Sequence, residues 1–450
     1  MPMKNLLLLF LLATSTLYAQ EKNWLPLFNG KNLTGWKQIA GSATYTAVNG
    51  EIVGTTTAGS PNSFLATEKT YGDFILELDF RLDGESNSGV QVRSESKPDY
   101  RDGKVHGYQV EIDPTPRQWT GGIYDEERRQ WLYPLEFNPE AKSAFRKTAW
   151  NKLRVECIGT VIRTWINGIP AANISDNMTP KGFIALQVHS VQSAEEAGRK
   201  VRWKNIRIQT EQLKPSPPDG SYVANFVPNT LTDQERSNGV SLLWDGKSTT
   251  GWRGAYKEKF PEKGWEIRDG ELSVQPSGGG ESVNGGDIVT EKLFGAFDLQ
   301  FEFRLTPGAN SGVKYAVTEK ENNQGSAIGL EYQILDDEQH PDAKMGVVGN
   351  RTLASLYDLI PSLKNPRGLH KIGEWNWGRI ILYPDNRVEH WLNGYKVVEY
   401  QRGTPIYKAL VARSKYANWD NFGMAEKARI LLQDHGNAVS FRSIRIRELK

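Results

Sequence analysis

The feature that most constrains the fold of this chain is an internal repeat that covers almost all of it. Segments of the first half return in the same order in the second half. The matched segments, first copy before second, are LFNG at 27–30 with LWDG at 243–246, YGDFILELDFRL at 71–82 with FGAFDLQFEFRL at 294–305, WING at 165–168 with WLNG at 391–394, and LQVH at 186–189 with LQDH at 432–435. So long a period predicts two whole domains rather than a solenoid of short repeats.

Each copy consists of short runs in which apolar and polar residues alternate. In residues 74–82 every second residue is apolar, and residues 154–158 and 162–166 have the pattern of a hairpin. Asn167-Gly168 is a sequence typical of a type I′ turn. Such runs, bounded by Gly, Asn, Asp and Pro and with hardly any helical periodicity, predict an all-β fold of two tandem antiparallel β-sandwiches.

Two stretches mark the predicted domain boundaries. Residues 214–220 read KPSPPDG, which is typical of a stiff, extended linker. Thr232 and Glu235 then have the spacing of a capping box and predict a short helix that ends near Gly239. We therefore predict a first β-sandwich over 20–212, a linker with a short helix over 213–237, and a second β-sandwich over 238–450.

Residues 1–19 have the pattern of a secretory signal peptide. Lys4 supplies a positive start, an apolar stretch follows over 6–12, and a small-residue cleavage site precedes Gln20. The apolar run is too short to span a bilayer, so no transmembrane segment is predicted. No cysteine near the cleavage point could carry a lipid. We expect an exported, periplasmic protein whose single cysteine, Cys157, is a small buried residue.

Composition narrows the class of partner. The chain has 55 basic and 53 acidic residues, a net charge of +2 and no basic run, so nothing indicates a nucleic-acid partner. Its 14 Trp, 17 Tyr and 16 Phe favour a carbohydrate partner, because aromatic rings stack on the apolar faces of sugars. The cores of β-sandwiches use the same residues, so any single Trp can equally belong to the core. The composition leaves the oligomeric state open.

An acid–amide pair occurs once in each copy. Glu331 and Gln333 are two residues apart in an alternating run, so their side chains share one face of a predicted strand. In the first copy Gln109 and Glu111 stand in the same relation, with acid and amide exchanged. An Asn-Ser-Gly turn precedes each strand, at 87–89 and at 310–312. Two copies of such a pair on half-buried strands predict a functional site.

These motifs, in this order and twice over, resemble one known family. The chain is similar to the 3-keto-disaccharide (3-keto-glycoside) hydrolase domain family, which was formerly catalogued as a domain of unknown function. The resemblance covers both halves, apart from the signal peptide and the linker. It implies two concanavalin- or laminin-G-like jelly-roll sandwiches. It also implies an exported enzyme that cleaves glycosides already oxidised at C3 of the sugar.

That chemistry assigns roles to the paired residues. A ketone at C3 acidifies the C2 proton, and the C1 substituent can then leave by β-elimination before water adds. This route needs a base near C2, a donor to the enolate oxygen and an acid for the leaving oxygen. The candidate bases are Glu331 and Glu111, and the candidate donors are Gln333 and Gln109. His435 and His189 could relay protons, although either could also be a structural histidine.

A second set of residues is expected to bind substrate. Lys314 and Arg93 follow the Asn-Ser-Gly turns and could stabilise negative charge. Asp336 and Asp113 end the paired strands and could bind a sugar hydroxyl or simply start a turn. The remaining candidates are Asn310, Asn87, Gln433, Gln187, Tyr124 and His340.

Two other functions stay open at this stage. An ordinary glycoside hydrolase needs two carboxyl groups across the scissile bond. The acid–amide pair of the second copy supplies only one. A non-catalytic, lectin-like module would suit the sandwich and its aromatic residues equally well. No cofactor is predicted, and no HxH or HExxH spacing indicates zinc, but the available Glu, Asp and His side chains leave a divalent metal open.

Overall fold

The computed structural model describes residues 23–278, 280–319 and 327–450. The chain divides into two compact units, one ending at Phe226 and the other beginning at Val227. We call them the first and the second domain. The predicted signal peptide over 1–19 lies outside the described residues. Within the part that is described, no helix is both long and apolar enough to cross a membrane.

The first domain is a jelly-roll sandwich of two sheets. Its strands are β1 Leu25–Pro26, β2 Trp36–Ala40, β3 Thr44–Val48, β4 Glu51–Thr55, β5 Ser63–Thr67, β6 Phe74–Asp83, β7 Ser88–Ser96, β8 Val105–Ile112, β9 Ile123–Glu126, β10 Gln130–Tyr133, β11 Asn151–Ile158, β12 Val161–Ile166, β13 Ile169–Ser175, β14 Phe183–Val188, β15 Lys200–Gln209 and β16 Ala224–Asn225. Short 3-10 turns cover Arg101–Gly103, Leu135–Phe137, Pro139–Ala144 and Ala194–Glu196. One sheet has the order β16-β13-β12-β11-β6-β15-β4-β3, with β1 paired to β15, and the other β10-β9-β8-β7-β14-β5-β2.

The second domain repeats this plan. Its strands are β17 Val240–Leu242, β18 Trp252–Gly254, β19 Trp265–Arg268, β20 Glu271–Val274, β21 Ile288–Thr290, β22 Phe297–Leu305, β23 Asn310–Thr318, β24 Ile328–Leu335, β25 Trp375–Leu382, β26 Arg387–Leu392, β27 Tyr395–Gln401, β28 Arg429–Leu432 and β29 Val439–Glu448. Helices cover Asp233–Ser237 and Pro405–Val411, and 3-10 turns cover Pro341–Lys344 and Pro366–Gly368. The sheets are β19-β20-β29-β22-β25-β26-β27, with β17 paired to β29, and β18-β21-β28-β23-β24.

The alternating runs behave as the sequence predicts. In β6 the apolar residues point into the core, where Phe74 and Leu76 are fully buried. Asn167 and Gly168 both have positive φ, 51° and 83°, as a type I′ turn requires between β12 and β13. Cys157 is buried and unpaired. The predicted all-β class of two tandem sandwiches is confirmed.

The segment predicted as a linker is packed against protein at both of its ends. Arg163 of the first domain donates to the carbonyl oxygens of Ser216 and Pro217 and to the carboxylate of Asp219. Strand β16 then joins the first domain in parallel with β13. The predicted capping box is present, because Glu235 N donates to Thr232 Oγ1 and Thr232 N donates to Glu235 Oε2. The segment is therefore held in place rather than extended freely.

Candidate active site

The acid–amide pair of the second domain lies on the face of its sheet that is turned away from the core. Strand β24 pairs with β23, so that Lys314 stands opposite Glu331 and Gly312 stands opposite Gln333. Residues directly opposite one another in a sheet point to the same side. The alternate residue Tyr332 points into the core and is fully buried. The predicted alternation therefore places Glu331 and Gln333 together with their neighbours on β23.

This face opens into a cleft of about 270 Å³, which we call the second-domain cleft. Six of the candidates from the sequence line it, namely Glu331, Gln333, Asn310, Gln433, His435 and His340. Four further polar residues line it, namely Glu281, Asp342, Tyr357 and Lys415. These four come from the loops that wall the cleft. The structure thus brings together residues from two strands and four loops.

The glycine of the Asn-Ser-Gly turn makes room for the acid. A Cβ atom on Gly312 would lie 2.3 Å from Glu331 Oε1 and 2.9 Å from Glu331 Cδ. The carboxylate therefore rests directly on the backbone of β23. A close approach of this kind is one of the reasons for glycine inside a strand.

Buried charges surround the Glu331 carboxylate. Burial raises the pKa of Glu331, and the positive charges of Lys314 and Lys415 only partly offset this effect. Burial opposes the charge on Lys314, but the carboxylates of Asp287 and Glu331 outweigh it and raise the Lys314 pKa. Lys314 Nζ lies 3.7 Å from Asp287 Oδ2. Burial raises the pKa of Asp287 to about 7.

Three buried polar atoms of residues that line the cleft have no hydrogen-bond partner among the described residues. They are Asn310 Oδ1, Gln433 Oε1 and His435 Nδ1. Buried polar groups are normally hydrogen-bonded, so atoms left over in a cleft are positions for a polar ligand. The amide nitrogen of Gln433 is oriented by Glu281, whose Oε1 accepts from it at 3.3 Å. The cleft can therefore offer several hydrogen bonds to sugar hydroxyl groups.

One wall of the cleft is a network anchored on Asp342. Tyr357 Oη donates to Asp342 Oδ2 at 2.8 Å, and an Arg351 guanidinium nitrogen donates to Asp342 Oδ1 at 3.0 Å. His340 accepts from the backbone N–H of Asp342. Its ring lies 5.9 Å from that of His435, nearly perpendicular to it. Burial and the neighbouring His435 lower the pKa of His340, which favours its neutral form.

The first domain has an equivalent arrangement with different chemistry. Gly89 stands opposite Glu111, and Gln91 stands opposite Gln109. Since Gly89 corresponds to Gly312, Glu111 takes the place of Gln333 and Gln109 takes that of Glu331. The predicted exchange of acid and amide is thus seen in the register of the strands. Gln91 takes the place of Lys314, so a neutral amide stands where the second domain has a buried cation.

The Glu111 carboxylate is already bonded within the first domain. Asn87 donates to its Oε1 at 2.6 Å, and Gln109 donates to its Oε2 at 3.1 Å. The guanidinium of Arg117 lies 3.6 Å from Oε1 and packs on the rings of both Trp119 and Trp131, 4.5 and 4.7 Å from their centroids. Burial raises the pKa of Glu111. Arg117 of the first domain therefore supplies a positive charge beside the Glu111 carboxylate.

Further candidates of the first domain share this face. Tyr124 stands opposite Gln109, and its ring packs on Trp131. Neither polar atom of the buried Gln187 amide has a partner in the described structure, and the half-buried His189 bonds the carbonyl oxygen of Ser190 through Nδ1. Glu126 was not predicted. Burial raises its pKa to about 7, although Asn62 donates to its Oε1 at 3.0 Å.

Four of the residues expected to bind substrate are held by contacts within the protein. Arg93 does not reach the site, because its guanidinium bonds the carbonyl oxygens of Gly72 and Gly159 and the carboxylate of Asp73. Asp336 accepts hydrogen bonds from three backbone N–H groups of neighbouring loops, and it therefore organises a turn. Asp113 likewise accepts from the N–H groups of Thr115 and Trp119 and from Arg117. Lys314 stands opposite Glu331 on the neighbouring strand, beside Asp287, and is not among the residues that line the cleft.

No group of three or more His, Cys, Asp or Glu side chains is arranged to hold a metal ion in the described ranges. The sequence did not decide whether a divalent metal ion binds, and no residue is assigned as a metal ligand.

Comparison with known proteins gives three findings. The model of the 3-keto-alpha-glucoside-1,2-lyase-like domain family matches residues 23–209 and again residues 239–447. A 3-keto-disaccharide hydrolase of Bacteroides thetaiotaomicron is 36% identical over 235 residues, which are 47% of this chain and 79% of that protein. A crystal structure of a candidate glycosyl hydrolase from Parabacteroides distasonis is 30% identical, with a TM-score of 0.44, and covers 50% of this chain and 100% of its own.

Proposed function

This chain belongs to the 3-keto-alpha-glucoside-1,2-lyase-like domain family, in two tandem copies, and on that premise we propose that it cleaves glycosides oxidised at C3. We assign the cleavage to the second-domain cleft. The observation that supports this most directly is the surroundings of Glu331, a buried carboxylate with a raised pKa that faces an open cleft beside two lysines. A base of this kind suits the removal of a carbon-bound proton near neutral pH.

The proposed reaction begins at C2. Glu331 takes the C2 proton, and the electron pair of the C2–H bond forms the enolate of the C3 ketone. When the C3 ketone re-forms, the electron pair of the enolate double bond becomes a C1–C2 double bond, and the C1–O bond breaks. His435 protonates the leaving oxygen, and water then adds to the unsaturated sugar. Gln333, Gln433 and Asn310 bind hydroxyl groups of the sugar through the amide atoms that face the cleft.

The first domain is less suited to this chemistry. Its carboxylate Glu111 is satisfied by Asn87, Gln109 and Arg117, and a glutamine stands in the position of Lys314. The hydrogen bonds from Asn87 and Gln109 oppose the rise that burial causes in the Glu111 pKa, and they occupy the oxygens that would take a proton. We therefore propose that the first domain does not carry out the elimination.

One observation favours a second candidate, an ordinary glycoside hydrolase. The sequence offered a single carboxylate in the second copy, but the structure adds Glu281 to the same cleft as Glu331. Two carboxyl groups on either side of a glycosidic bond are what that reaction needs. The proposed elimination differs from it in one requirement, which is the ketone at C3.

The two candidates are separated by one comparison. The full-length protein is given a 3-keto-glucoside and the same glucoside without the ketone, in deuterated buffer. We expect cleavage of the keto sugar to be at least a hundredfold faster, with deuterium entering at C2. Comparable rates on the two sugars, with no deuterium at C2, would support the ordinary glycosidase instead.

We also propose that the protein acts after export, because residues 1–19 have the pattern of a signal peptide. The N-terminus of protein purified from its natural host tests this. A chain that begins at Gln20 in the periplasmic fraction is the expected result, and a chain that keeps residues 1–19 in the cytoplasm contradicts it.

A further inference from the structure

Lys415 belongs to a connection that is much longer in the second domain than in the first. It lies in the segment 402–428, which joins β27 to β28, whereas the first domain joins β13 to β14 through 176–182. The segment is well anchored on both sides of this lysine. The backbone N–H of Lys415 donates to Asp358 Oδ2 at 2.7 Å, and the ring of Tyr416 stacks on Phe422 with centroids 4.0 Å apart.

The ammonium group of Lys415 is presented to the cleft in a defined position. Its Nζ lies 4.2 Å from the centroid of the Tyr357 ring and 5.2 Å from that of the Tyr416 ring. Cation–π contacts of this length restrict where a flexible lysine can place its charge. Among the described residues, no carboxylate lies within ion-pair distance of this Nζ. Its donors thus remain available to a ligand in the cleft that it lines together with Glu331.

Lys415 is an exposed residue whose ammonium group lies near other charges. Partial burial of that group and the nearby Lys314 lower the pKa of Lys415, and the Glu331 carboxylate opposes this shift. Lys314 is the other cation near Glu331, but it stands opposite Glu331 on the neighbouring strand, pairs with Asp287 and does not line the cleft. Lys415 is therefore the lysine that lines the cleft itself.

We propose that Lys415 donates a hydrogen bond to the C3 oxygen of the substrate and stabilises the negative charge that this oxygen gains. The inference rests on the proposed function and names the residue that makes the cleft selective for a ketone. As Glu331 removes the C2 proton, the C2–H electron pair becomes a C2–C3 double bond and the carbonyl pair moves onto the oxygen beside Lys415. The lysine stays protonated throughout, so it is neither consumed nor changed. A donor fixed beforehand at a developing oxyanion is typically worth 10²- to 10³-fold in rate.

The test uses full-length protein with Lys415→Met, Lys415→Gln and Lys415→Arg. Lys408→Met, an exposed position on the preceding helix, is the matched control. Two rates are measured on a 3-keto-glucoside, namely turnover and the incorporation of deuterium at C2. Binding of the unoxidised glucoside is measured by calorimetry, and thermal unfolding checks that each variant is folded.

We expect about a hundredfold loss of both rates in the Met and Gln variants, partial recovery in the Arg variant and no change in Lys408→Met. Affinity for the unoxidised sugar should change less than threefold, because its C3 hydroxyl oxygen gains no negative charge. Met and Gln variants that are folded and keep both rates within twofold of wild type would overturn the inference while leaving the proposed function intact. A wild-type protein that shows no preference for the ketone and no C2 exchange would overturn both.

Discussion

Substituting Gly312 by alanine tests the site at the point where its geometry is tightest. In the structure the added Cβ would lie 2.3 Å from Glu331 Oε1, whereas ordinary contacts begin at 3.4 Å. The carboxylate must therefore move by about 1 Å. Because the clash is with the far end of a side chain, the side chain can yield and the backbone of β23 can stay in place. We expect Gly312→Ala to fold with nearly unchanged stability.

The expected effect on activity follows from that displacement. A misplacement of about 1 Å at a reacting group costs roughly 10²-fold in rate. This corresponds to about 2.7 kcal/mol of transition-state stabilisation. The loss should appear in kcat/KM for the 3-keto-glucoside and equally in the rate of deuterium exchange at C2, because both depend on the position of the base.

Gly89→Ala is the matched control in the first domain. Its Cβ would lie 2.4 Å from Cδ of Gln109, so it displaces the amide at the equivalent position. If the second domain carries out the cleavage, this variant should keep wild-type turnover. Full activity in Gly312→Ala combined with loss of activity in Gly89→Ala would show that we have assigned the reaction to the wrong domain.

Three more expectations concern charged residues. Glu331→Gln should lower turnover by 10²- to 10⁴-fold and Glu111→Gln should not, and steady-state assays giving the reverse order would contradict the assignment of the base. The folded-state pKa of Glu126, about 7, lies above its ordinary value of 4.5, so the folded protein holds this proton more tightly and loses stability as pH rises between those values. Urea unfolding of Glu126→Gln should therefore show a gain of up to about 3 kcal/mol at pH 8 and none at pH 4, and equal gains at both would refute this. Arg93→Met removes the donor to the carbonyl oxygens of Gly72 and Gly159, so it should lower the free energy of unfolding by about 2 kcal/mol without altering KM. A raised KM at unchanged stability would instead indicate that Arg93 contributes to the site.

The sequence by itself determined the architecture and the faces of the strands. Alternation has a period of two along a strand, so residues two apart share a face in any sheet they join. That local rule was enough to place Glu331 beside Gln333 and Gln109 beside Glu111. The repeat extended the same inference to two sandwiches, because identical patterns bury identical faces.

The local rule fails where the backbone departs from regular pleating. Arg93 has a φ of 46°, and the register between β7 and β8 shifts between Val92 and Glu95. This bulge turns the Arg93 side chain away from the site. Gln91, not Arg93, corresponds to Lys314, because each lies two residues after the glycine of its Asn-Ser-Gly turn. A bulge adds one residue to one strand and reverses the alternation beyond it. Nothing in a two-residue period reveals where that happens.

Only the tertiary structure decided which loops complete the cleft. Glu281, Tyr357 and Lys415 are far apart in the chain and belong to segments without periodicity. Their convergence depends on long-range packing, such as the bond from the Lys415 backbone to Asp358. The strand that carries Glu331 could therefore be predicted from the sequence. Lys415, the cation that lines the same cleft as Glu331, is positioned by contacts that exist only in the folded protein.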